Sequence, residues 1–218
     1  MDKYFDSNYI EKELSKIGLR VNKQLKIYLI GGCAMSFRKL KETTKDIDVV
    51  VQNKNDFLIL SDALFGAQYH QPFEIKIEHE KLEPMKVYEN KDGFHMDLFV
   101  ERVVKKLQLS DSMINRATLY KKYGKLSVYL LSVDDIFLFK GLASEERHRD
   151  ISDMQILYPR LRWKQILDEL NSQKLSNELV ALFARRLEVF NKLYLLDVPI
   201  LQELKKKSDS IKKSNKRL

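Results

Sequence analysis

Two short apolar runs, each carrying aspartate among residues that belong in a core, constrain this chain more than anything else in it. The first ends the stretch 27–51, IYLIGGCAMSFRKLKETTKDIDVVV, and the second is FHMDLFVE around Asp97. Side chains alternate faces along a β-strand, so Asp46 and Asp48 point one way while Ile47 points into the core. Two carboxylates held that close in a poorly solvated place repel unless cations lie between them. A third carboxylate, Asp97 from a neighbouring strand, makes an oxygen-rich set of the kind that holds one or two magnesium ions. Upstream, Gly31-Gly32 lets the backbone approach a phosphate closely where a strand hands over to a helix. A phosphate cradle beside a carboxylate cage points to phosphoryl chemistry on a nucleotide.

The order apolar-Gly-Gly, thirteen intervening residues, Asp-apolar-Asp, then a lone aspartate in a hydrophobic strand resembles the polymerase-beta-like nucleotidyltransferase superfamily. The fuller string GGCAMSF…TTKDIDVVV is similar to its minimal branch, which includes the toxins of abortive-infection type toxin–antitoxin pairs. The resemblance covers residues 27–51 and Asp97, and more loosely 132–157. It implies an α+β fold, a nucleotidyltransferase-like mixed sheet with flanking helices followed by a C-terminal helical lobe. It also implies Mg2+, in two ions, with an NTP as substrate. Asp46, Asp48 and Asp97 would be the metal carboxylates, and Asp97 would also help to activate the acceptor hydroxyl. Many relatives carry serine at the second glycine, so Gly32 offers only its backbone N–H to phosphate.

Composition excludes some classes. With 44% hydrophobic and 32% charged residues, the 218-residue chain is an ordinary globular sequence long enough for a substantial core. No apolar run approaches a membrane span, and the opening MDKYFDSNYIEKEL lacks the layout of a secretion signal. A single cysteine, Cys33, forms no internal disulfide, which fits a reducing cytoplasm. It reads as a buried filler or a reactive thiol. Of the formal charge of +8, residues 204–218 contribute +6 (seven Lys or Arg, one Asp), leaving +2 elsewhere. That run reads as a frayed tail, either a solubilising end or an RNA-binding arm.

The pattern predicts a first amphipathic helix over 8–24, with Ile10, Leu14, Ile17 and Val21 on one face. KIYLI (26–30) and DIDVVV (46–51) read as strands, with a short helix over CAMSFRKL between them. Asn53 or Asn55 caps a helix through about Phe65 that turns Phe57, Leu60 and Leu64 inward. Residues 68–84 give no clear period. MKVYEN and FHMDLFV flank Lys91-Asp92-Gly93 as a hairpin, and a second hairpin turns near Gly124. From Ser132 the style becomes helical: SVDDIFLFKGLAS behind a serine cap, ISDMQILY, RWKQILDELN, then Asn177 to Leu196, with Pro199 as an interruption. The expected organisation is a core over 1–131, a helical lobe over 132–204 and a basic tail over 205–218. A cleft between core and lobe is the expected substrate site.

Other candidates are individually weaker. Thr43, Thr44 and Lys45 precede the aspartates and are candidates for triphosphate contact. The segment KGLASEERHRDISDMQIL resembles a second signature of the toxin-type branch, which places Lys140, Arg147 and Asp150 on it, with Asp153 a turn further on. Lys140 would act as a point charge on the triphosphate, and Asp150 would hold Lys140 or an acceptor group. The competing reading is an interhelical salt-bridge cluster, with Glu145, Glu146 and Arg149 also at hand. His70, His79, His95 and His148 lack metal-ligand spacing, although His95 shares a strand face with Asp97.

These features lead to one expectation, transfer of NMP from an NTP to an acceptor hydroxyl on tRNA or another RNA, with a cognate antitoxin as a further partner. A small-molecule acceptor, as in antibiotic-type relatives, and a non-catalytic nucleotide- or antitoxin-binding module are the alternatives.

Overall fold

The computed structural model describes residues 3–73, 84–103, 107–142, 148–173 and 175–214, with the backbone alone for 148, 149 and 208–214. His79, Arg147, Glu145, Glu146 and the last four residues of the basic run lie outside the described residues. The chain divides into two compact units, Met1–Ser132 and Val133–Leu218.

In the first unit, Phe5–Asp6 (β1) leads into Ser7–Gly18 (α1), where the Asp6 carboxylate accepts the Tyr9 N–H at 2.8 Å as an N-cap. Ile10, Leu14 and Ile17 are fully buried, one residue per turn on one stripe. The helix was expected to run to residue 24 but stops at Gly18. A Cβ there would lie 2.5 Å from the Tyr123 Cβ, so the chain ends its helix at a close backbone approach. Val21 still buries itself from the loop beyond.

Leu25–Ile30 (β2) passes directly into Gly31–Phe37 (α2), followed by Thr43–Thr44 (β3) and Asp46–Val51 (β4). Lys54–Gly66 (α3) is capped by Asn53, whose side chain accepts the Asp56 N–H at 2.9 Å. Lys86–Glu89 (β5) and His95–Val100 (β6) form the first hairpin. Its turn is closed by Asn90, which accepts the N–H groups of Asp92 and Phe94, and by Gly93 at φ 78°. Two-residue strands Arg102–Val103 (β7) and Leu107–Gln108 (β8) pair with each other, and Asp111–Arg116 (α4) follows behind a Ser110 cap. Thr118–Tyr123 (β9) and Leu126–Leu130 (β10) make the second hairpin.

Six of these strands form one mixed sheet in the order β5-β6-β4-β2-β10-β9. The pairs β4/β6 and β10/β2 are parallel, whereas β2/β4, β5/β6 and β10/β9 are antiparallel. The central strands β2 and β4 are almost wholly buried, as their near-continuous Ile, Leu and Val content requires of strands covered on both faces. The architecture is α+β.

The second unit is helical. It comprises Val133–Leu142 (α5), His148–Leu157 (α6), a 3-10 turn at Tyr158–Arg160, Trp163–Ser172 (α7), Asn177–Tyr194 (α8) and Leu201–Ser214 (α9). Its core is aromatic: the Phe137 ring meets Trp163 at 5.5 Å, Phe190 at 6.0 Å and Phe183 at 6.5 Å, all edge-on. Gly141 permits the crossing of α5 and α8, since a Cβ there would stand 2.2 Å from Phe183 Cε2. Buried Asp134 accepts the Arg162 N–H at 2.6 Å, Arg162 Nε at 3.0 Å and Gln165 Nε2 at 3.0 Å, so it caps the start of α7 from another helix.

The long helix ends at Tyr194 because Leu195 turns left-handed at φ 52°, before Pro199 is reached. Residues beyond Lys205 were expected to fray, yet the helix α9 continues through Ser214. Leu204 is buried where α9 lies along α8, and Lys205 reaches Glu188 at 2.5 Å. Lys207 bonds Asn171 at 2.5 Å and faces Glu203 at 3.3 Å. Tertiary packing thus holds the start of a run whose charge alone suggests disorder. Among the described residues no helix is long and apolar enough to cross a membrane.

Candidate active site

Strand register brings the aspartates to one face. The parallel pairing of β4 with β6 sets Asp48 beside Asp97 and Asp46 beside His95. Paired residues on neighbouring strands share a face, and residues two apart on one strand do so as well. Asp46, Asp48, His95 and Asp97 therefore occupy one side of the sheet. Asp97 is fully buried and Asp48 nearly so, while Asp46 is half-buried at the start of its strand. The environment becomes wetter from Asp97 and Asp48 toward Asp46.

The antiparallel pairing of β2 with β4 places Ile30 opposite Asp48, so the glycine pair emerges beside that carboxylate. Gly31 sits at φ 65°, a left-handed conformation, and a Cβ on it would stand 2.0 Å from Asp48 Oδ2. Only glycine fits there. A Cβ on Gly32 would stand 2.6 Å from Thr44 Oγ1 and 3.9 Å from Lys41 Nζ. The helix α2 begins at Gly31 itself, not after the pair, and its N-cap Ile30 supplies no side-chain hydrogen bond.

Thr43 and Thr44 are held by pairing β3 with β1, Thr44 opposite Phe5 and Thr43 opposite Asp6. The Thr44 hydroxyl donates to the Asp46 carbonyl at 3.2 Å, which fixes the approach to β4. Lys45 turns its ammonium over the Tyr4 ring, 5.4 Å from the centroid. Lys41 is the residue that sequence reasoning passed over. Lys39 adopts φ 59° and the Leu40 N–H returns to the Met35 carbonyl at 3.0 Å, closing α2 so that the next lysine lies near Gly32. No spacing rule reveals a side chain delivered by a left-handed helix end.

Cys33 is fully buried. Burial first, then the charges of Asp48 and Asp46, push its thiol well above the ordinary cysteine range, so it stays protonated and unreactive. His95 lies 3.5 Å from Glu89 Oε1, and exposed His70 bridges Glu89 through the backbone.

Lys140, Asp150 and Asp153 come together in the second unit. The Lys140 ammonium lies 3.0 Å from Asp150 Oδ1 and 2.6 Å from Asp153 Oδ2, and all three side chains are buried. Burial works against the lysine's charge. The carboxylates of Asp150 and Asp153 outweigh it and hold the pKa above the ordinary lysine value. The triad ties α5 to α6.

Carboxylate oxygen is the right donor for a hard divalent cation, and three such groups on one sheet face match magnesium in kind. Among the described residues, no three His, Cys, Asp or Glu side chains converge closely enough to cage a metal as they stand. The backbone register supplies the shared face.

No family model matches the chain, and no curated protein matches it. Among solved structures, one from H. pylori described as a "putative nucleotidyltransferase" is similar to it at 14% identity and a TM-score of 0.40, covering 94% of this chain and 91% of that one. That likeness is loose, and the functional reading rests on the site.

Proposed function

We propose that this protein transfers a nucleoside monophosphate from an NTP to an acceptor hydroxyl and releases pyrophosphate. The observation that carries the reading is the register of Asp48 beside Asp97, with Gly31 pressed against Asp48 so that no side chain fits between. Asp46, Asp48 and Asp97 would hold magnesium, which when bound screens phosphate charge and acidifies a hydroxyl. The chain's own residues divide the rest. Gly31 and Gly32 add no side chains to the start of α2, where Asp48 Oδ2 and Thr44 Oγ1 stand close, so the room a phosphate would need beside the backbone N–H groups is not taken by a Cβ. Lys41 and Thr44 border that room, a cation and a hydroxyl suited to the leaving pyrophosphate. Asp97, the most buried carboxylate, orients the acceptor hydroxyl. An acceptor O–P bond forms at the α-phosphorus as the bond to the bridging oxygen breaks, and the hydroxyl proton leaves through Asp97. Lys140 and Asp150 enter this reading as the pair that holds α5 to α6.

RNA is the favoured acceptor class, tRNA included. Toxin activity and an antitoxin partner rest on the sequence resemblance alone. Incubation with each α-labelled NTP, magnesium, total RNA and a small-molecule extract tests the reading. Label on RNA is expected. Label on a small molecule would favour the antibiotic-type alternative, and NTP binding with no transfer would favour the non-catalytic module.

A further inference from the structure

We propose that α9 is a nucleic-acid surface whose lysine face engages the phosphate backbone of an RNA strand. The choice of RNA rests on the acceptor class above; the basic face does not. At about 100° per residue, positions 205, 206, 212 and 213 fall within about 120° of arc, with 202 and 209 between them, and 204 and 211 fall on the other side. The arc holds four lysines with Gln202 and a single aspartate, Asp209, and the opposite side carries Leu204 and Ile211. With Lys216 and Arg217 of the continuation 215–218, the run 204–218 holds +6 of the chain's net charge of +8. An amphipathic basic helix suits either an anionic membrane or a nucleic acid, and the two need different faces. Membrane binding inserts the apolar face. Here Leu204 on that face is 1% exposed, covered where α9 lies along α8. On the lysine side Lys205 and Lys206 are exposed, and Lys205 also pairs with Glu188, which fixes the start of the helix in place. Cations held on a docked helix meet a phosphate chain with less ordering cost than a frayed tail.

Fluorescence anisotropy of a labelled single-stranded RNA on the full-length protein without NTP, from 50 to 200 mM salt, tests this. The variant Lys206→Gln/Lys212→Gln/Lys213→Gln leaves the Lys205 anchor intact. Each phosphate contact contributes about 0.7 to the slope of log affinity against log salt for a single strand, so the triple change should flatten it by about 2. The advantage of the wild type over the variant should then shrink roughly 16-fold across that range. A control triple, Lys12→Gln/Lys26→Gln/Lys54→Gln, removes the same number of charges from exposed positions of the first unit and should leave the slope near wild type. Equal slopes for the α9 variant and the wild type would overturn the proposal. So would equal flattening by the control, or binding to phosphatidylserine vesicles in place of RNA. Because NTP is absent, RNA binding without transfer would sink only the catalytic reading, and transfer without α9-dependent binding only the surface.

Discussion

Removing the Lys140 ammonium should destabilise the second unit more than any other single side-chain change at the two candidate sites. In Lys140→Met, the carboxylates of Asp150 and Asp153, 3.0 and 2.6 Å from the lost nitrogen and both buried, would lose the cation they share. Removing one partner of a buried ion pair costs about 3–5 kcal/mol, well above the 0–1 kcal/mol of a surface pair. For a chain of this size that is roughly 6–20 °C in Tm. Differential scanning calorimetry at pH 7 reads it directly. The triple variant Lys140→Met/Asp150→Asn/Asp153→Asn should recover most of the loss, since the two carboxylate charges go with the ammonium. The pH dependence has a definite sign. The folded pKa of Lys140 is raised above its ordinary value of 10.5, because the two carboxylates outweigh burial. Its contribution is therefore fully present below that value and fades only as pH rises through the higher folded one. Between pH 6 and 9 the gap between wild type and Lys140→Met should not change through titration of this lysine. A Lys140→Met protein as stable as wild type, with impaired NTP binding, would refute the structural role and return Lys140 to the phosphates.

Two further substitutions test backbone geometry. Gly31→Ala places a methyl where Asp48 Oδ2 now stands, 2.0 Å away, on a left-handed residue; about 1–3 kcal/mol of stability should go, with nucleotide transfer falling further because Asp48 must move. Thermal melts and transfer assays on the same preparation check both. Leu195→Gly should gain about 0.5–1 kcal/mol by chemical denaturation, because Leu195 is left-handed at φ 52° and 91% exposed, so no buried contact is lost.

Much of the sheet was legible in the sequence because buried strands and Gly-containing turns write themselves in apolar runs. β2, β4, β6 and both hairpins fall where the runs predict. β7, β8 and α4 went unread, since a two-residue strand has no period to detect. Asp97 was legible as joining Asp46 and Asp48 from a neighbouring strand, but not which of the two it stands beside, because parallel register is set by tertiary contacts. Lys41 was hidden by the left-handed Lys39. The helix α9 was hidden by its own charge: the step from Leu204 to Ile211 keeps the apolar face, but a lysine run dominates the eye and only packing on α8 reveals the fold. Asp134 capping α7 across 28 residues has no local signature at all.

The central claim is that the Asp46, Asp48 and Asp97 face performs chemistry and is not there for packing. Asp48→Asn, compared with wild type in an α-labelled NTP transfer assay at fixed magnesium, is the most direct measurement when paired with a melt. The volume is unchanged and one of several crowded negative charges is gone, so the Tm should stay equal or rise slightly. Transfer should fall by about 10²-fold or more, the scale of losing a group that stabilises transition-state charge. Near wild-type transfer by a folded Asp48→Asn protein would contradict the claim outright.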